Sequence, residues 1–199
     1  MDGVVSLEAI YPPRFFARRN KLNWRAPIIC RAIVEAFSPR TVIDVGCAIG
    51  DLVQGFNDIG IQARGIEGSV SAVPFLVCDR ELVSIYDLRK PLPAGIPFYT
   101  LATCFEVAEH IEPEYADILV QNLVMLSGML CLSLAPPGQG GHYHVNCQPL
   151  EYWEEKFKGH GFRHMPEKEM GIRSKLLVWR NKPGIKAIYL NLACFERIE

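Results

Sequence analysis

The 199-residue sequence lacks several things whose absence narrows its reading. Its seven cysteines (Cys30, Cys47, Cys78, Cys104, Cys131, Cys147 and Cys194) contain no CxxC pair, and several lie in apolar runs such as MLCLSLA. They read as small buried hydrophobes in a reducing compartment. No eighteen apolar residues occur together, and MDGVVSLEAIYPPRFF has no cationic start followed by an apolar run. A soluble cytoplasmic protein with no membrane segment is therefore expected. Charge of either sign is not in excess: 21 basic against 22 acidic residues give a formal net charge of -1. Nucleic-acid or membrane binding would then have to rest on a local patch. There is no internal repeat and no low-complexity segment. At 49% hydrophobic the length suits one domain over residues 1–199.

What is present is an alternation. Ile28, Ile29, Ile33, Val34 and Phe37 recur at helical spacing between Arg25 and Phe37, closed by SPRT. TVIDV follows, almost wholly apolar and β-branched, the pattern of a central parallel strand covered on both faces. DLVQGFNDIG reads as a helix ending near Gly60, QARGIEG as a second strand, and VSAVPFLVCDR as a poorer helix interrupted by Pro74. ELVSIYDL and FYTLATCF supply two more strands, EPEYADILVQNLVMLS a strong amphipathic helix, and GMLCLSLA a fifth strand. Such alternation predicts an α/β, doubly wound, largely parallel sheet. After Pro136 comes PPGQGGHYHVNCQP, a loop too long for a mere connection. A helix over LEYWEEKFKGHGF and a strand over Leu190 to Arg197, in a final antiparallel pair, complete the expectation.

The turn after the first strand is the most informative stretch. In TVIDVGCAIGD, Gly46, Ala48 and Gly50 are spaced by two, which does not meet the dinucleotide fingerprint GxGxxG. The pattern Asp44-x-Gly46-x-Ala48-x-Gly50 instead resembles motif I of class I S-adenosylmethionine-dependent methyltransferases, written D/ExGxGxG. Ala48 stands at the middle glycine, where its methyl requires a negative φ. Further on, GIEGS places Glu67 at the second strand tip, able to accept from both ribose hydroxyls. YDLRKPLP places Asp87 where the family has an acidic residue near the adenine amino group. CFEVAEHI resembles the family's EVLEHI segment at the methyl-transfer end of the site.

This resemblance implies a Rossmann-like fold with a seven-stranded, mostly parallel sheet whose last strand is antiparallel, and S-adenosyl-L-methionine as cofactor. It implies cofactor-binding roles for Asp44, Gly46, Cys47, Ala48, Gly50, Glu67, Gly68, Asp87, Leu88, Cys104, Phe105 and Glu106. Glu106, His110 and His144 become the catalytic candidates. The expected acceptor is a small or sugar-like molecule methylated on oxygen, lined in part by His142, His144 and Cys147 of the long loop. No metal is expected. A metal-assisted RNA 2'-O-methyltransferase is the alternative, because ExxEH also resembles the small-RNA terminal 2'-hydroxyl and ubiquinone-pathway enzymes. On a helix, Glu106, Glu109 and His110 would share a face, with His142 as a fourth ligand. A non-catalytic cofactor-binding module is the other alternative. Residues 1–24 are expected to cover the acceptor site, with Arg14, Arg18, Arg19, Lys21 and Arg25 interleaved with Phe15, Phe16 and Trp24.

Overall fold

The computed structural model describes residues 5–198. Two short helices, α1 (Leu7–Ile10) and α2 (Pro13–Arg19), precede α3 (Ala26–Phe37). α3 buries Ile29, Cys30, Ala32 and Ile33, and it stops at Ser38, whose φ of 48° is left-handed and whose N–H returns to the Val34 carbonyl. The chain then runs through β1 (Thr41–Val45), α4 (Asp51–Asp58), β2 (Gln62–Glu67), β3 (Val83–Ile85), β4 (Leu101–Cys104), α5 (Ala116–Leu126) and β5 (Met129–Ser133). It closes with α6 (Leu150–Lys158), β6 (Phe162–His164), α7 (Pro166–Leu176), α8 (Lys186–Asn191) and β7 (Leu192–Arg197).

The sheet has seven strands in the order β3-β2-β1-β4-β5-β7-β6, with β7 antiparallel to both its neighbours. That is the architecture expected from the sequence. Neighbouring strand residues alternate between two apolar layers. Val42 and Cys131 pack with α3, α4 and α7 on one face, while Ile43, Leu130 and Leu132 pack with α5 and α6 on the other. Both faces being covered explains why the central strands are apolar throughout.

Three segments differ from the sequence reading. Pro74 keeps Val70–Phe75 to a 3-10 turn rather than a helix, because proline cannot supply an i→i−4 hydrogen bond. The tail begins its last strand at Leu192, since Leu190 and Asn191 complete α8. And α7, with weak periodicity and a glycine within it, was not visible in the pattern. Among the described residues no helix is long and apolar enough to cross a membrane.

The order of strands reverses between β1 and β4: β1 pairs with β2 on one side and β4 on the other, all parallel. At that point loops from adjacent strands diverge to opposite faces and leave a crevice at the strands' carboxyl ends.

Candidate functional site

The loop leaving β1 turns sharply. Gly46, Ala48 and Gly50 all have positive φ, at 76°, 51° and 74°. Gly46 and Cys47 donate their N–H groups to the Ile66 carbonyl at 2.7 and 3.0 Å, which locks the loop onto β2. A Cβ on Gly46 would overlap the Val107 side chain, so the glycine lets the post-β4 loop close against this one. The negative φ expected at Ala48 is overturned. Its N–H donates to Glu67 Oε2 at 2.9 Å, and a contact from the neighbouring strand holds the alanine in the left-handed region. Its methyl packs with Phe16, Ile49 and Ala72.

Glu67, at the tip of β2, is buried and accepts from Ala48 and from the Ser69 N–H at 2.8 Å. Burial pushes its pKa up despite those bonds. A carboxylate has roughly four acceptor positions, so two remain for a ligand. Asp44 is buried behind the loop and accepts from the Thr103 hydroxyl at 2.7 Å; burial raises its pKa to about 7.

Asp87, past β3, is engaged by Arg89. The guanidinium meets its carboxylate through Nε and Nη2, both at 3.0 Å, and the Arg89 N–H adds a third bond at 3.0 Å. Burial works to raise the Asp87 pKa, but these bonds outweigh it and leave the pKa below the usual value. Arg89 also donates from Nη1 to the Val5 carbonyl and to Glu112 Oε1, each at 3.2 Å. It thus ties the N-terminal segment to two strand tips. Sequence reasoning missed Arg89 and Glu112; the adjacent Asp87 was the only available signal.

The post-β4 segment is not the helix that spacing suggested. Glu106 has a φ of 58°, and only Ala108–His110 form a 3-10 turn. Glu106 donates its N–H to Ser133 Oγ at 2.6 Å, and the same hydroxyl donates to Glu106 Oε1 at 2.7 Å. This reciprocal pair ties Glu106 to β5. Glu109 is 0% exposed, neither of its carboxylate oxygens has a hydrogen-bond partner, and burial followed by the nearby Glu106 raises its pKa to about 8.

The long loop folds back onto this turn, with Val145 and Asn146 donating to the Glu109 carbonyl at 2.9 and 3.0 Å. His110 donates from Nδ1 to the Tyr143 carbonyl at 3.2 Å, and His144 from Nδ1 to the Gln139 carbonyl at 3.1 Å. Carbonyls only accept, so Nδ1 carries the hydrogen in both bonds, and in a neutral ring so held Nε2 is the acceptor nitrogen. Burial, then His144, lowers the His110 pKa to about 4. The two rings meet edge-on at 4.9 Å.

Glu109, His110 and His144 present ligand atoms within 4.8 Å of one another. This group shares Glu109 and His110 with the alternative metal set; of that set's other two members, Glu106 accepts from Ser133 and His142 donates from Nε2 to the Ile10 carbonyl at 2.7 Å. Cys147 is half-buried and donates to the Gln139 carbonyl at 3.3 Å, while the other six cysteines are buried.

These tips surround a cavity of ≈ 80 Å³ that is open on one side. Of the residues carried from motif resemblance, Gly46, Ala48, Glu67, Gly68, Asp87, Leu88, Glu106 and His110 line it. Asp44, Cys47, Gly50, Cys104 and Phe105 stand behind it, and His144 stands beside it. Cys47 faces away: a Cβ on Gly65 would overlap its sulfur. Leu7, Ile10, Tyr11, Phe15, Phe16 and Arg19 form the roof. Two members of the basic N-terminal stretch lie elsewhere. Arg25 pairs with Asp51 at 3.0 Å in the interior, and Trp24 packs on Trp179 at 5.9 Å between ring centroids.

No protein-family model and no curated protein sequence matches the chain. Solved structures match its fold. The sugar N-methyltransferase KedS8 from a Streptoalloteichus species is similar over 100% of this chain and 96% of its own, at 13% identity and a TM-score of 0.66. Magnesium protoporphyrin IX methyltransferase from Synechocystis, solved with bound SAH, matches over 83% of this chain and 81% of its own, at 17% identity and a TM-score of 0.55. The cyclase SpnF matches over 87% and 82%, at 15% identity and a TM-score of 0.56.

Proposed function

We propose that this chain, which has the fold of class I S-adenosylmethionine-dependent methyltransferases, is such an enzyme and methylates a small or sugar-like acceptor on oxygen. The observation that carries this reading is one cavity at the topological switch point, lined by the glycine turn of β1 and by acidic tips after β2, β3 and β4. The residues fit the cofactor. Gly46 and Gly68 leave backbone open where a Cβ would meet Val107 or Leu7, and Glu67 keeps acceptor capacity for ribose hydroxyls. When bound, S-adenosylmethionine supplies a sulfonium methyl that is already electrophilic.

The chain's own task is then to align the acceptor, exclude water and take a proton. Tyr11 and Phe15 roof the site against water. His110 is the base: it is neutral at any pH well above about 4, its Nδ1–H is committed to Tyr143, and Nε2 remains to accept. His144 packs against that ring and fixes its plane. Glu106, held by Ser133, faces the cavity as a carboxylate that can orient an acceptor hydroxyl.

Because a cyclase shares the fold, binding and turnover need separate measurements. Calorimetry with S-adenosylhomocysteine should show saturable binding; none at millimolar ligand would sink the cofactor assignment. With the acceptor returned by a tritiated-cofactor screen, His110→Asn should lower kcat by about 10²-fold or more and leave S-adenosylhomocysteine affinity unchanged.

A second, metal-assisted version is favoured by one observation, the fully buried Glu109 carboxylate without a partner beside two imidazole lone pairs. Two neutral imidazoles and a carboxylate suit a divalent transition ion, which would satisfy both Glu109 oxygens. Equilibrium dialysis with Mn²⁺ and with Co²⁺ tests it: Glu109→Gln should abolish retention, and no retention by the native protein rejects the metal version.

A further inference from the structure

We propose that the methyl acceptor carries a phosphate group, received by the arginines of α2 at the mouth of the site. This deepens the methyltransferase reading and rests on it for the side from which the acceptor enters.

Charge in this chain is unevenly placed. Between Glu8 and Glu35 lie six of its 21 basic residues and none of its 22 acidic ones, although the whole carries a net charge of -1. Arg25 is neutralised by Asp51. Among the described residues Arg14, Arg18 and Arg19 have no carboxylate partner. With His142 they line a groove that has no carboxylate in its wall. That groove shares Ile10, Phe15 and Arg19 with the cavity at the strand tips, so it adjoins the cavity that His110 lines. Arg19 lies over the Phe15 ring at 4.9 Å, at the junction of the two spaces.

Arg14 and its pairing with Arg18 are disfavoured locally in the absence of an anion. Arg14 occupies the first turn of α2, the end of a helix where cations are unfavourable. Arg18 follows it by four residues, so two like charges are stacked on one helical face. An anion between them relieves both effects. Guanidinium forks pair bidentately with phosphate oxygens, and three in succession offer more donors than a carboxylate could accept.

The site is scaled to one phosphate rather than to a strand. α2 has seven residues and spans only about 10 Å. The exposed aromatic that could have extended a base-stacking track, Trp24, is packed on Trp179 instead. A small phosphorylated acceptor is therefore the fit, in preference to RNA.

The test uses the full chain saturated with S-adenosylhomocysteine, titrated by calorimetry with ribose 5-phosphate, inorganic pyrophosphate and ribose. Both phosphate probes should bind and ribose should not. The exposed double variant Arg14→Ser/Arg18→Ser should weaken phosphate binding about tenfold or more, while its affinity for S-adenosylhomocysteine stays that of the native chain. Equal binding of ribose and ribose 5-phosphate, or undiminished phosphate binding by the double variant, would overturn the proposal. So would a decamer oligoribonucleotide binding more tightly than either probe with a steep salt dependence, which assigns the patch to nucleic acid. Failure of S-adenosylhomocysteine itself to bind the native chain is a separate result and strikes the methyltransferase reading.

Discussion

Gly46 is where two loops of the site meet, and the cost of a side chain there has two separable parts. Its φ of 76° costs an alanine about 1–2 kcal/mol, and overlap with Val107 adds about 1–3 kcal/mol. Gly46→Ala should lower Tm by roughly 4–20 °C and weaken S-adenosylhomocysteine binding. Val107→Ala in the same chain should restore the overlap part and leave the φ part. A double-mutant cycle by thermal melting checks this, and additive losses would mean the two residues do not compete for the space. The neighbouring Ala48 shows why residue letters reveal one positive φ and hide another. Glycine advertises left-handed backbone because little else adopts it, whereas Ala48 is held there by the Glu67 carboxylate, nineteen residues away in sequence.

At the scale of elements, the N-terminal segment is a roof whose longest-range ties are Arg89 to the Val5 carbonyl and His142 to the Ile10 carbonyl. Replacing Arg89 by Met frees Val5 and Glu112 together and leaves the fold's sheet untouched. The expected outcome is faster amide exchange at Ile10 and Phe16 and affinity for S-adenosylhomocysteine weakened about tenfold, since the loss is of charge-assisted bonds. Unchanged exchange would show that apolar packing alone holds the roof. These ties span 84 and 132 residues of chain, which is why no local pattern announces them. The segment after β4 fails for the opposite reason. Its letters fit a helix, but Ser133 from the adjacent strand captures both the Glu106 N–H and its carboxylate, and the local propensity loses. The loop's contribution was legible as composition, HYHVNC, but not which of its histidines turns inward.

Over the whole molecule, alternation of apolar strands and amphipathic helices is strong because each central strand faces two packed layers. It fades in the tail, where α7 is short of apolar periodicity and its own buried Glu169 works through polar bonds to Arg173 and the Cys194 N–H. One buried charge at the centre of the sheet couples the fold to pH. Burial raises Asp44 from 3.8 to about 7, with Asp51 adding to the rise and the Thr103 hydroxyl opposing it. The folded chain therefore keeps a proton that the unfolded chain releases above about pH 4. That contribution to stability is complete below the unfolded value and is lost as pH rises through 7. Asp44→Asn, which keeps a neutral partner for Thr103, should melt above the wild type by a margin that grows from about pH 5 to about pH 8; a margin constant across that range would refute the shift. The distribution of thiols has a practical corollary. With six of seven cysteines buried and Cys147 alone half-accessible in the loop that presents His144, a single alkylating fluorophore would label one address, and the native chain already carries a reporter for what enters its site.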